Sequence, residues 1–226
     1  MTVVGQVEIN EFCRQVLAKH WPEVPRHDDV TTAVDWWTGR PRPAVDVVAG
    51  GFPCQPFSKA GRRLAQSDAR WLWPAMADVI DAVRPRWVVG ENVPGLLDAT
   101  DDAPAGVCDV VADLEGLGYV CRVGSISACE VGAPHPRRRV FVLAHPGGEG
   151  RCPGRPERRG AVASPGGPEA VGGVAERGRR WAREPDVDRV AYGLPGGVDR
   201  RRALGNAVSP QVAEYIGRLI THSEGR

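Results

Sequence analysis

Apolar and polar positions along the chain predict strands and helices in turn. Val3 to Glu8 reads as a short apolar strand ending in an acid, and Ile9 to His20 repeats Phe12, Val16 and Leu17 at helical spacing, so the chain opens with a strand–helix unit. Pro22 to Asp29 reads as a turn, and Val45 to Ala49 as a second strand broken by Gly50-Gly51, with a long Gly/Pro-containing loop over 50–67. A helix at about 69–83 carries Leu72, Met76, Val79 and Val83 on one stripe, and Pro85 stops it before the strand Trp87 to Val89. Asp109 to Leu117 predicts another helix ended by Gly118, and strands at about 119–127 and 139–144 follow. Ser209 to Ile220 predicts a terminal helix with Pro210 in its first turn and Val212, Ile216 and Leu219 inward. Strand–helix alternation of this kind predicts an α/β fold with a mostly parallel sheet, whose ligands sit at the carboxyl ends of the strands.

One stretch breaks the pattern. Half of the 28 positions over 146–173 are Gly or Pro, and Val162 and Val171 are its only sizeable apolar side chains, too little to order it by burial. The expected organisation is a catalytic and cofactor-binding region over 1–145, a short irregular segment over 146–180, and a return to the first region over 181–226.

Composition narrows the classes. A length of 226 residues fits one domain with a real core. No run of eighteen apolar residues exists, and MTVVGQVEIN has no basic leader followed by an apolar core, which predicts a cytoplasmic protein with no membrane span. The six cysteines (Cys13, Cys54, Cys108, Cys121, Cys129, Cys152) contain no C-x-x-C pair, so neither a structural zinc site nor a disulfide framework is expected, and no metal is assigned. The formal net charge of +1 hides an asymmetry: 12 basic and 18 acidic residues up to position 130 give −6, and 17 basic and 10 acidic after it give +7. That points to a polyanionic partner for the C-terminal side. Lys19 and Lys59 are the only lysines among 29 basic residues, so arginine dominates, through phosphate and base recognition or through a GC-rich coding bias.

Three places carry candidate chemistry. Cys54, in Gly50-Gly-Phe-Pro-Cys-Gln-Pro-Phe-Ser58, lies just beyond the carboxyl end of a buried strand, where a nucleophile belongs in an open α/β sheet, although a loop cysteine is more often an idle thiol. Glu91, in Glu91-Asn-Val-Pro94, follows the strand Trp87 to Val89 and reads either as a general acid or as a turn acid capping the next segment. In Pro134-His-Pro-Arg-Arg-Arg-Val-Phe-Val-Leu143, Arg137 and Arg139 fall on one side of an extended chain and read either as a solvated edge or as a clamp for a phosphate or base carbonyl.

GGFPCQPFS, ENVPGLL, PHPRRRVFVLA and the late RRALGNAVSPQVAEYIG resemble, in the family's order, motifs IV, VI, VIII and X of the cytosine-C5 DNA methyltransferases. The resemblance covers residues 1–145 and about 181–221. It implies a Rossmann-like S-adenosylmethionine-dependent methyltransferase sheet with a short irregular target-recognition segment, acting on double-stranded DNA as a monomer, with a restriction endonuclease as partner system. By resemblance, Cys54 attacks C6 of a flipped cytosine, Glu91 bonds N3 and the exocyclic amine, and Arg137 and Arg139 complete the catalytic set, Arg139 holding the base carbonyl or its phosphate. Glu8, Ile9, Asp29, Val30, Pro53, Gln55, Asn206 and Ala207 would bind S-adenosylmethionine, and Ser58, Lys59, Arg62 and Arg63 would touch DNA.

The departures from the family matter. The Phe-x-Gly-x-Gly strand and turn of motif I has no counterpart in residues 1–226, which begin at what should be the second strand; this predicts weak or absent methyl transfer. His135 stands at the usual glutamine of the arginine motif, and the target-recognition region is short. A tRNA cytosine-5 methyltransferase shares the PCQ and ENV pair but carries a Cys-Phe-Thr signature not found here, and a non-catalytic nucleic-acid-binding remnant is the reading from another class.

Overall fold

The computed structural model describes residues 1–53, 71–98, 106–147, 203 and 205–224. They fall into two compact units, Met1–Ser125 with Arg139–Ala163, and Ile126–Arg138 with Ser164–Arg226. The Gly/Pro/Arg stretch after residue 147 lies outside the described residues.

The first unit opens with β1 (Gln6–Val7), α1 (Glu11–His20) and β2 (Arg26–His27). The ladder between β1 and β2 is parallel and consists of Gln6 opposite Arg26 and Val7 opposite His27, so the strand expected over 3–8 is trimmed to the length of its partner. Asn10 starts α1 by accepting the Cys13 amide on its side-chain oxygen at 3.1 Å, satisfying one of the open donors of a helix's first turn. Residues 30–38 fold as a 3-10 turn, Val30–Thr32, followed by α2 (Ala33–Thr38), neither of which the apolar spacing revealed. Asp29 caps that turn through the Thr31 amide, a local side-chain bond that does not register as periodicity.

The main sheet holds β3 (Val47–Gly51), β4 (Trp87–Asn92), β5 (Tyr119–Ser127) and β6 (Arg138–Pro146) in the order β3-β4-β6-β5. β3 and β4 run parallel, connected through α3 (Trp73–Val83), and β6 runs antiparallel to β4. Gly50 and Gly51 do not break β3. They complete it, and a Cβ at Gly50 would lie 2.9 Å from both Sδ and Cε of Met76, so a larger residue there would push the flexible end of that side chain aside. α3 buries Trp73, Met76 and Ile80, one position around the helix from the expected stripe. It ends where Arg84 takes a left-handed conformation (φ 50°) ahead of Pro85. α4 (Gly106–Gly116) buries Val110 and Leu114, and Gly118 turns the chain into β5 at φ 88°.

The core lies where Trp73, Ile80, Leu96, Val110, Leu114 and the β4 and β6 residues Val88, Val140 and Val142 meet, all at most 1% exposed. Each such side chain stabilises the fold by roughly 1.5–3 kcal/mol on burial. Two polar atoms reach this core with partners: the Trp73 indole donates to Asp113 at 2.8 Å, and the Tyr119 hydroxyl donates to the Pro85 carbonyl at 2.8 Å.

In the second unit a 3-10 turn, Ala128–Val131, begins with a capping box between Ser127 and Glu130. Its helix, α5 (Pro210–Glu224), buries Val212, Ile216 and Ile220. Leu219, expected inward, is 42% exposed; the apolar stripe runs at a strict spacing of four and takes Ile220 in its place.

Candidate active site

Glu91 is a strand residue. It is the fifth of six in β4, opposite Gly51 of β3 on one side and Phe141 of β6 on the other, which removes the reading of it as a turn acid. The next 3-10 turn, Pro94–Leu97, is preceded by Val93 and has no side-chain cap at all. The Glu91 side chain is only 14% exposed, and its Oε1 lies 3.0 Å from Nε of Arg139, itself 22% exposed. Arg139 and Phe141 share a face of β6 by the alternation of the strand, and Phe141 pairs directly with Glu91, so Arg139 sits on the diagonal that a long side chain spans. The result is a close ion pair in a partly desolvated place, where opposite charges attract more strongly than in water.

Gly51 shapes the other side of the carboxylate. A Cβ there would come within 3.1 Å of Glu91 Oε2, so the bare Cα is what gives this oxygen its room. Asn92, the last residue of β4, points to the opposite face and is 4% exposed. Its Nδ2 donates to the carbonyl of Phe52 at 3.0 Å, and its Oδ1 accepts the Val93 amide at 2.8 Å. Neither Gly51 nor Asn92 was singled out from sequence. Gly51 was read from sequence only as part of a strand break, and Asn92 only as the neighbour of Glu91.

The three consecutive arginines divide their work. Arg137 Nη2 donates to the Gly205 carbonyl at 2.6 Å, a bond within the second unit, next to Asn206 and Ala207. Arg138 pairs with Glu130 at 3.3 Å, both about half exposed. Arg139 meets Glu91. Arg139, which the resemblance assigns to the base, places its Nε beside the glutamate.

Three of the positions implied for the cofactor, Glu8, Asp29 and Pro53, lie just past strand ends of the first unit. Glu8 follows β1 directly; its amide donates to the His27 carbonyl at 3.0 Å, and its Oε1 accepts the Asn10 amide at 2.7 Å. Ile9 beside it is 73% exposed. A carboxylate next to an exposed apolar side chain, at the carboxyl ends of two parallel strands, can accept from a ribose diol and lie against a purine face, so these residue types fit the nucleoside half of S-adenosylmethionine. Asp29 and Val30 follow β2. The Thr31 hydroxyl and then the Thr31 amide, both donating to the Asp29 carboxylate, hold its pKa below the ordinary value. Pro53 is exposed just past β3, and Asn206 and Ala207 are exposed ahead of α5. Cys54, Gln55, Ser58, Lys59, Arg62 and Arg63 lie outside the described residues.

Cys121 is half-buried in β5, and burial pushes its pKa up to about 11, which suits a packed thiol and not a nucleophile. Among the described residues no group of three or more His, Cys, Asp or Glu side chains could hold a metal ion, and no helix is long and apolar enough to cross a membrane.

The Type II methyltransferase M.AgeI of Thalassovita gelatinovora is 39% identical over 112 residues, 50% of this chain and 26% of the relative. M.NgoBV of Neisseria gonorrhoeae is 33% identical over 141 residues, 60% of this chain and 32% of the relative. The matched stretch thus spans about a quarter to a third of these relatives. Among solved structures, S. pombe Dnmt2 methyltransferase superposes with a TM-score of 0.50 at 21% identity, over 67% of this chain and 45% of that one, which establishes a shared Rossmann-like methyltransferase fold. The profile of the C-5 cytosine-specific DNA methylases matches residues 1–151 of the 226, and the chain belongs to that family.

Proposed function

We propose that this chain carries the catalytic strands of a DNA (cytosine-5-)-methyltransferase of a restriction-modification system. The observation that carries the reading is the pairing of β3 and β4. It sets Glu91, partly buried and held by Arg139, beside β3, whose chain continues through Phe52 and Pro53 to Cys54 in sequence. C5 of cytosine is a poor nucleophile. Addition of the Cys54 thiolate at C6 turns the ring into an enamine, and Glu91 relieves the charge that builds on N3 by hydrogen bonding and proton donation there. Arg139 keeps the glutamate aimed. The base must leave the duplex for C6 to be reached, and Ser58, Lys59, Arg62 and Arg63 follow Cys54 closely enough in sequence to meet the backbone of the flipped nucleotide.

S-adenosylmethionine supplies the electrophilic methyl group when bound. Glu8 and Ile9 would hold its ribose and adenine, Asp29 and Val30 the adenine edge, and Pro53, Gln55, Asn206 and Ala207 its remaining contacts. Loss of the C5 proton and expulsion of Cys54 restore the ring. The Arg-rich stretch over 146–180 is the target-recognition segment, gripping backbone phosphate, and residues 181–226 return to the catalytic region.

The test is incubation with a duplex containing 5-fluorocytosine and with radiolabelled cofactor, alongside tRNA. The expected result is a covalent adduct with DNA that Cys54→Ser abolishes and Cys121→Ser leaves in place. An adduct formed only with tRNA overturns the choice of polymer, and one that survives Cys54→Ser overturns the nucleophile.

A further inference from the structure

We propose that Asn92 is a positioning residue whose buried carboxamide locks the strand end leading into Cys54 to the strand end carrying Glu91. The catalytic meaning of this lock rests on the methyltransferase reading; the lock itself does not.

β3 and β4 pair only as far as Gly51 opposite Glu91. Beyond that point the backbone ladder cannot continue from β3, because Pro53 has no N–H to donate. The Asn92 side chain takes over where the ladder stops: Nδ2 donates to the Phe52 carbonyl at 3.0 Å, fully buried. The ring of the same residue is fixed too, 5.6 Å from Trp71 in an edge contact and 5.1 Å from Trp73. Phe52 is therefore held at both its carbonyl and its side chain, and Cys54 follows two residues later, within roughly 7 Å of chain.

The chemistry of the position is narrow. On this face β4 buries Val88, Gly90 and Asn92, so a polar side chain there is unexpected unless both of its ends are used. They are: one end donates across the sheet to Phe52, and the other accepts the Val93 amide at 2.8 Å. Aspartate has the same shape and can still accept from Val93, but its carboxylate sets a second acceptor against the Phe52 carbonyl. Leucine fills the volume and leaves both backbone groups unmatched. Gln and Ser would miss one partner through length. Asn92 also neighbours Glu91 in sequence, so whatever moves one strand end relative to the other changes the spacing between glutamate and cysteine.

The experiment uses the full chain with Asn92→Asp and Asn92→Leu. Hydrogen exchange is followed by mass spectrometry on peptides covering 47–53 and 87–97, with 110–126 as reference, and adduct formation with the 5-fluorocytosine duplex is measured in parallel. At about pH 7.5, Asn92→Asp should speed exchange at both strand ends by about tenfold, the scale of one buried hydrogen bond. It should leave 110–126 unchanged, and slow adduct formation by a similar factor while changing the KM for DNA far less. Near pH 5.5, the introduced carboxyl, pushed toward its protonated form by burial, regains an O–H donor, and exchange and adduct rates return toward those of the parent at the same pH. Asn92→Leu should show the defect at both pH values. If Asn92→Asp does not fold at the higher pH, recovery of its circular dichroism at the lower one reads the same donor. The proposal is overturned by unchanged exchange at the strand ends, by equal changes in 110–126, or by no recovery at the lower pH. A parent chain that forms no adduct accords with the missing motif I and removes only the adduct readout, and the exchange data still decide the lock.

Discussion

Replacing Arg139 by alanine separates two kinds of ion pair that adjacent residues make in one chain. Arg138 and Glu130 stand 3.3 Å apart with both side chains 52% exposed, and Arg139 and Glu91 stand 3.0 Å apart with 22% and 14% exposed. At an effective dielectric of about 20, unit charges about 4 Å apart attract by about 4 kcal/mol, but in the folded protein much of this is offset by the cost of desolvating both groups. Removing the arginine alone leaves Glu91 with its desolvation and without this cation. Removal of one partner from a fully buried pair costs about 3–5 kcal/mol, and the residual exposure of this one places the expected loss at about 2–3 kcal/mol. Arg138→Ala should cost between about 0 and 1 kcal/mol, the range for exposed pairs. Urea unfolding of both variants, with Glu91→Gln and the Arg139→Ala/Glu91→Gln double variant to close the cycle, measures the difference. The Arg138 effect should also fade in concentrated salt while the Arg139 effect persists. Equal losses for the two arginines, or a coupling energy between Glu91 and Arg139 indistinguishable from zero, would refute the claim that burial makes this pair the anchor of the site.

Three further outcomes follow from other parts of the structure. Ile80→Ala, at a position with 0% exposure, should lower stability by about 2–5 kcal/mol through the lost burial and the cavity left behind, read from the unfolding midpoint. Gly51→Val should reduce adduct formation far more than stability, because its side chain starts 3.1 Å from Glu91 Oε2 and displaces the carboxylate; equal effects on both would sink that explanation. Cys121 stays protonated in the fold up to about 11, whereas the unfolded thiol ionises near its ordinary value. The folded state therefore binds more protons between those values, stability should fall as pH rises across about 9 to 11, and Cys121→Ser should remove that decline.

The order of elements was legible from the chain because helix and strand periods are local. Phe12 and Leu17, or Val110 and Leu114, declare a helix through neighbours three to five positions away, and Gly118 and Pro210 mark helix ends by their own backbone preferences. The motifs around Cys54, Glu91, Arg139 and Asn206 were likewise contiguous in sequence, which is why the family could be named before any fold was known. What stayed hidden was set by pairings between distant residues. Gly50-Gly51 looks like a strand breaker until Met76 and Glu91 are brought against it, and the faces of α3 and α5 differ from expectation by one position because the neighbour, not the periodicity, selects which of two apolar stripes is buried. Three identical arginines in a row cannot be told apart by spacing. Their partners, Gly205, Glu130 and Glu91, lie 68, 8 and 48 positions away, and only folding assigns them. The sequence by itself marked the residues to which the resemblance assigns the chemistry; tertiary structure decided which oxygen of Glu91 meets which guanidinium and what holds the end of β3, because hydrogen bonds and ion pairs depend on ångström separations that only chain packing sets.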